Sequence, residues 1–480
     1  MKYLDLAMNA AETLGAEYAD IRIQKTTDQV IYLQNLSLKH TSNNIIQGYG
    51  IRVFKDGAWG FAHSNVFSDE AVLATVKKAF NTATLSAAVN KDKKLRLAPE
   101  RSYLATYKTP VKIDPFSIPV SEKIDLMMEV SRTMLAYEGI KKTIFLLMMQ
   151  KDEKLFASTL GTRLDLTTQF INPMITAVAV TENDSQSRTF DDGGRAVGWE
   201  WILELDLLDK AKQIAQEALI KVKADTLGAE ERRSLVLDPN HLGLTMHESV
   251  GHATELDRVL GWEADYAGVS FATPEKLNNY HYGSEVINFV GDNTLEGGLA
   301  TLGFDDDGVP SQKWYIIKDG ILKEYGSTRD TALEIGLNAS RGCNRATYYF
   351  NQPINRIPNL YLLPGKKTLT PGELIADTED GVYIQGRGSY SIDHHRINFQ
   401  FGGDFFWEIK NGKLIRPLKK VIYKSCNPEF WNSCDAICDE RFWRPFGVVN
   451  CGKGQPPQTG RMTHGSSTAR FRNIRVGGSQ

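Results

Sequence analysis

No apolar run in this sequence exceeds about six residues, and the longest, Ile144 to Met149, sits inside the segment KTIFLLMMQ. A helix that crosses a bilayer needs ~20 such residues. The chain must therefore bury its apolar side chains in short elements packed against one another. At 480 residues it is also too long for one core, since single cores stop growing near ~250–300 residues. Two or three domains are expected. The 56 Lys+Arg and 58 Asp+Glu nearly cancel, leaving a formal charge of −2. That balance argues against a dedicated nucleic-acid binder, which usually shows a basic excess or stripe. The start, MKYLDLAMNAAETLG, carries acids among its apolar residues and lacks the marks of a signal peptide, so a cytoplasmic location is expected. Five cysteines, four of them (Cys426, Cys434, Cys438, Cys451) crowded near the end, do not read as a disulfide framework.

The pattern of elements predicts an α+β protein: a mixed α/β first half over 1–225, with a sub-boundary in the proline-bearing stretch 90–119, then a strand-rich domain over 226–480. In the first half, Leu4, Ala7, Met8, Ala11 and Leu14 have helical spacing, with Gly15 as a stop. Tyr18 to Gln24 and Val30 to Leu36 read as two strands. Ile51 to Ala62 reads as a hairpin turning at Asp56-Gly57. Ser68 caps a helix toward Phe80, another runs from Ser121 to about Tyr137, and Leu208, Ala211, Ala215, Ala218, Leu219 and Val222 form the stripe of a further one. In the second half, Asp319-Gly320 and Asn411-Gly412 are hairpin turns. The last thirty residues, rich in Gly, Pro and Arg, read as loop with one late strand from Phe471 to Val476.

The segment LVLDPNHLGLTMHESVGHATELDRVL (235–260) carries the chemistry. A strand ends at Leu237, Asp238 caps a helix, and Pro239 suits its first position. On that helix stand His247, Glu248 and His252. Neutral imidazoles bind Zn²⁺, and a neighbouring carboxylate can act as a base. The common H-E-x-x-H pattern puts its histidines at i and i+4, on one face. Here they stand at i and i+5, a rotation of about 140° on an ideal helix, which splays them apart. A π-bulge would realign them, eased by the missing Cβ of Gly251. Alternatively the helix ends near Gly251 and His252 lies on a loop. The segment leaves the third ligand open among Glu255, Asp257, His281, the pair His394-His395 and the clustered cysteines.

Taken together, the motifs resemble the TldD/PmbA family, once called modulators of DNA gyrase, and in particular its metal-bearing, TldD-like branch. The family pattern H-E-x-x-x-H followed by x-x-E-x-D appears here as His247, Glu248, His252, Glu255 and Asp257, and its C-terminal Asn-Cys-Gly-Lys segment as Asn450-Cys451-Gly452-Lys453. The likeness extends to GFDDDGVP (303–310), STRDTA (327–332), Pro358-Asn359 and Gly402-Gly403, and more weakly over the N-terminal half. Leu256 stands where several relatives have Gly, and CGKGQ is one residue shorter than the form CGKxGQ. The resemblance implies a zinc-dependent peptidase acting on unfolded or loosely structured polypeptides. It implies one Zn²⁺ per chain held by His247, His252 and Cys451, with Glu248 as general base. It also implies a homodimer, or a heterodimer with a metal-free paralogue, whose sites face an internal cavity.

Glu255 and Asp257 are expected to accept hydrogen bonds from the ligand histidines, and Arg329, His281, His395 and Arg396 are candidates for holding the oxyanion. Substrate would add as a strand to a sheet edge. Other features read as structure: Asp305-Asp306-Asp307-Gly308 as a turn lacking the spaced calcium pattern, and Gly386-Arg387-Gly388 as no dinucleotide fingerprint. Phe430, Trp431, Phe442 and Trp443 read as anchors of the cysteine-rich stretch. Cys434 and Cys438, at i,i+4, suit a helix face and a second metal less well than ordinary buried thiols. Two other functions compete with the peptidase: a non-catalytic peptide-binding subunit, and a gyrase regulator, for which no DNA-reading motif exists.

Overall fold

The computed structural model describes residues 2–478. Its N-terminal part is built from two long antiparallel hairpins. The first pairs Tyr18–Gln34 with Ser37–Lys55, and the second pairs Ile140–Ser158 with Arg163–Val180. Each is preceded by a helix (Lys2–Thr13, Val120–Leu135), extended by a third strand (Ala58–Ser64, Ser185–Phe190) and followed by another helix (Asp69–Val89, Leu207–Val222). The chain thus lays down the same helix–three strands–helix unit twice. Tyr18–Gln34 pairs antiparallel with Ile140–Ser158 and joins the units into one seven-stranded sheet. Each unit keeps its own core. Leu4, Ile21, Ile51, Val76 and Ala79 pack in the first, and Val130, Leu147, Ile175, Ile214 and Ala215 in the second.

Local chemistry accounts for several boundaries. Ser68 Oγ accepts from the N–H of Ala71 and starts its helix, which runs on to Val89. Asp56 and Gly57 both take positive φ (51° and 83°), as a two-residue hairpin turn of this hand requires. Tyr18 to Leu36 is not two strands, as the polar stretch Lys25–Gln29 suggested. It is one strand to Gln34, because those polar residues are hydrogen-bonded to strands on both sides. The segment after residue 90 does run extended. Its strand Leu104–Lys108 pairs parallel with Arg163–Val180 at the sheet edge.

The C-terminal part holds a ten-stranded and a six-stranded sheet, with one large core that includes Leu235, Leu242, Met246, Val250, Phe289 and Leu360. Glu231–Leu237 lies inside the ten-stranded sheet, parallel to Asp380–Gln385 and antiparallel to Ala469–Gly478. The final residues are not a loop with one strand. Arg444–Lys453, Gln458–Ser466 and Ala469–Gly478 are all strands, the first two paired with each other. Their small residues signal close packing. A Cβ on Gly460 would lie 2.5 Å from the Arg356 guanidinium, and one on Gly465 2.1 Å from the Trp443 ring.

The two parts meet through buried charge. Arg52 donates to Asp20 at 2.6 Å and to Asp307 at 2.8 Å, while Arg22 and Lys154 pair with Asp306. The acidic turn read at 305–308 is a turn, with Gly308 at φ 75°. It also anchors one part of the chain to the other, a role its sequence did not announce.

Candidate metal centre

The strand Glu231–Leu237 delivers the chain to Asp238, whose Oδ1 accepts from the N–H of His241 at 2.7 Å and starts the helix Pro239–Met246. That helix lies against the strands Arg444–Lys453, Gln458–Ser466 and Asp380–Gln385. At its end the winding changes. His247–Gly251 forms a π turn, in which the N–H of His252 donates to the carbonyl of His247. Of the two routes open in the sequence, this is the bulge. It inserts one residue per turn, and His247 and His252, five apart, come to one side with ring centroids 4.7 Å apart. The turn is wedged from outside. The Ser249 carbonyl accepts from Tyr282 Oη and Asn427 Nδ2, both at 2.5 Å, and Trp431 Nε1 donates to Ser249 Oγ. Gly251 does not act through backbone freedom, since its φ is −54°. It acts through space: a Cβ there would stand 3.0 Å from Ile357 Cδ1.

Cys451 arrives from the strand Arg444–Lys453. A ligand atom from each of His247, His252 and Cys451 lies within 4.8 Å of the others, all buried, and Cys451 Sγ is 3.5 Å from His252 Nε2. Hydrogen bonds set the tautomers. The Leu360 carbonyl can only accept, so His464 Nδ1 donates to it at 3.0 Å, which leaves His464 Nε2 as acceptor for His247 Nδ1–H at 2.7 Å. Likewise His252 Nδ1–H donates to Glu255 Oε2 at 2.8 Å. Both Nε2 lone pairs are thereby left free as ligands. Burial lowers the pKa of both imidazoles and keeps them neutral. Burial alone would raise the Cys451 thiol; His252 when protonated and Arg356 outweigh it and bring the pKa below its ordinary value, and with His252 neutral the Arg356 charge still favours the thiolate. Two neutral imidazoles and a thiolate are a donor set that fits Zn²⁺.

Glu248 lines the same cleft, of about 720 Å³, and its Oε2 accepts from Arg396 Nη1 at 2.9 Å. Two edge strands border this cleft: Tyr390–Ile392, at the end of the ten-stranded sheet, and Arg444–Lys453, at the end of the six-stranded one. Negative Glu248 also raises the pKa of the nearby Tyr390 hydroxyl.

The other expected residues divide. Glu255 takes the role foreseen for it. Asp257 does not reach a histidine; it accepts from Lys453 Nζ at 2.7 Å, and burial pushes its pKa up to about 6. Lys453 also faces Glu255 at 3.2 Å, so two buried acids share one buried ammonium. Of the oxyanion candidates only Arg396 lines the cleft; His281, Arg329 and His395 do not. His394 and His395 serve through their carbonyls, which accept from Val269 and Phe271. Cys434 begins a strand rather than lying on a helix face, and burial raises its thiol and that of Cys438, the latter to about 12. Phe430 and Trp431 do anchor the stretch in the core. The sequence pattern assigns neither His464 nor Lys453 a role at the site. Lys453 was visible two residues beyond Cys451, whereas nothing near His464 marks it.

Comparison with known proteins agrees with this geometry. The PmbA/TldA metallopeptidase C-terminal domain matches residues 230–478, the central domain 113–224 and domain 1 residues 19–83. The chain belongs to the PmbA/TldD metallopeptidase family. It is 29% identical over 405 residues to a metalloprotease of Methanocaldococcus jannaschii, covering 84% of this chain and 85% of that one. It is 23% identical to a zinc metalloprotease TldD homologue of Saccharolobus solfataricus, covering 98% of each. Among solved structures, a candidate DNA gyrase modulator of Thermotoga maritima superposes with a TM-score of 0.76 at 17% identity, covering 99% of both chains. TldE of Thermococcus kodakarensis gives 0.72 at 15%, over 99% of this chain and 100% of that one. At those identities the superpositions speak for the fold. Membership of this PmbA/TldD family carries a metallopeptidase function. No described helix is long and apolar enough to cross a membrane.

Proposed function

We propose that this chain is a zinc-dependent peptidase that cleaves unfolded or loosely structured polypeptides, with His247, His252 and Cys451 as the zinc ligands and Glu248 as the general base. The observation that carries the reading is the convergence of those three ligand atoms, within 4.8 Å, beside Glu248 in a cleft bordered by two unpaired sheet edges. When bound, zinc supplies Lewis acidity to water and to a peptide carbonyl. The protein's own groups do the rest. His464 and Glu255 hold the two imidazoles in the tautomers that leave Nε2 free. Glu248 takes the proton of the attacking water and passes it to the departing amine. Arg396 holds that carboxylate in place before substrate arrives. An extended peptide pairs with the edge strand Tyr390–Ile392 or Arg444–Lys453, so recognition reads backbone and favours chains without fixed structure. Because the chain has its own complete ligand set, the reading includes a homodimer that needs no metal-bearing partner.

The test is zinc stoichiometry together with cleavage of a disordered polypeptide by wild type and Glu248→Ala. The variant is expected to keep its zinc and lose about 10²–10⁴-fold in rate. Equal cleavage by both proteins would reject Glu248 as the base, and full zinc retention in Cys451→Ala would break the ligand assignment.

A further inference from the structure

Besides the zinc cleft, the structure holds a cavity of about 80 Å³ between the seven-stranded sheet and the C-terminal part, lined by the start of the strand Gln458–Ser466, where Gly460 pairs with Cys451. Three arginines line it: Arg345, Arg356 and Arg461. Arg345 donates to the carbonyls of Arg461 and Ile357. Arg356 donates to those of Gln458 and Cys451. Arg461 lies 4.8 Å from the Phe170 ring centroid. Among the described residues none of the three has a carboxylate within salt-bridge distance. Of the acids lining the cavity, Asp306 is paired with Lys154 and Arg22, whereas Asp152 accepts only from neutral Thr26 and Gln24 and its charge offsets one of the three arginines. Asp28 faces Arg461 only from beyond that distance.

Several donors here have no partner. Arg356 Nε, on a side chain of a residue 1% exposed, is one; Gln169 Nε2, on a residue 7% exposed, is another; Arg461 Nε is a third. Buried charges are ordinarily paired because taking them out of water is costly. Water alone would satisfy the N–H groups and leave the remaining charges uncompensated. A water needs only ~10–15 Å³ measured this way, so there is room for something larger. Gln24 Oε1 is also unpartnered, and its amide orientation is set because the two N–H groups of Nε2 face three acceptors, Thr26 Oγ1, Asp152 Oδ1 and the Thr347 carbonyl. Gln150, also in the lining, leaves both its Nε2 and its Oε1 unpartnered, so the cavity offers four free donors against two free acceptors, which suits an anion with several oxygens.

We propose that this cavity binds a small oxyanion, a phosphate or carboxylate group, held by Arg345, Arg356 and Arg461. The shared chemistry has two sources, a free inorganic ion or the terminal carboxylate of a peptide. The test uses the zinc-loaded full chain at constant ionic strength, titrated calorimetrically with inorganic phosphate, with acetate, and with one short peptide carrying a free or an amidated C-terminus. Saturable binding that weakens at least tenfold in Arg461→Gln and in Gln169→Leu is the expected result. Preference for phosphate identifies the free ion, and preference for the free over the amidated peptide identifies the terminus. Absence of saturable binding by every probe, or equal binding by wild type and variants, overturns the proposal. Should the variants fail to fold, crystals of the wild-type protein grown in arsenate decide it, because a cavity without anomalous density also overturns it. Neither readout depends on peptide cleavage, so its outcome is separable from that of the peptidase reading.

Discussion

The metal centre and the acidic turn at the junction of the two parts are both buried and both crowded with charge, yet they are built on opposite plans. At the junction the charges close on one another, Arg52 on Asp20 and Asp307, Arg22 and Lys154 on Asp306, while Asp305 accepts from backbone N–H groups. At the metal centre the outer hydrogen bonds are closed, through His464, Glu255 and Lys453, while three ligand atoms are turned toward one another. Three lone-pair donors of that kind repel unless a proton or a metal cation lies among them. Closed networks hold a fold together, whereas networks left open on one side mark where chemistry takes place.

That contrast can be broken at several points. The largest expected effect is in catalysis: Glu248→Gln should lower peptide hydrolysis by about 10²–10⁴-fold while costing less stability than the loss of a whole partner, because the Gln oxygen can still accept from Arg396. A variant as unstable as it is inactive would place Glu248 in the closed class instead. Next comes Arg52→Ala, which strands Asp20 and Asp307. Removing one partner of a buried pair costs about 3–5 kcal/mol, read by urea denaturation, and zinc content should be unchanged in whatever protein remains folded. His464→Ala removes the acceptor of His247 Nδ1–H and should weaken zinc binding about 10–100-fold in a chelator competition. Unaltered zinc affinity would show that the tautomer is held by something else.

The smallest effect is the order of acid loosening. Burial holds His241 neutral and lowers its pKa to about 4. Its share of stability is full above the unfolded value of ~6.5 and is lost as pH falls from there toward 4. Burial would raise Asp306, but Lys154 and Arg22 outweigh it and bring the pKa to about 2. The stability it contributes is full above the unfolded value of ~3.9 and is lost only as pH falls toward 2. Hydrogen exchange during acidification should therefore show the helix that carries His241 opening first and the junction later. The reverse order would overturn this assignment.

How much of this was legible beforehand depends on the reach of each signal. Ser68, Asp238 and the hairpin pairs Asp56-Gly57, Asp319-Gly320 and Asn411-Gly412 act within a few residues, and each is where the pattern put it. The strand content of the last thirty residues was hidden, because Gly460 and Gly465 look like loop residues until Arg356 and Trp443 are seen pressing on them. The doubled helix–strand unit was hidden too, since its two copies share an order of elements rather than a string of residues.

The sequence by itself determined the chemistry available: which residues carry imidazole, thiol and carboxylate, how the histidines are spaced, and which family the motifs resemble. Tertiary structure alone decided how those groups are used. The π turn that brings His247 and His252 together is stabilised by Tyr282, Asn427 and Trp431, all remote in the chain. Asp257 serves Lys453 rather than a histidine, and His464 orients a ring more than two hundred residues upstream. A spacing of five is unfavourable on an isolated helix, and only packing contacts formed on folding are strong enough to select it.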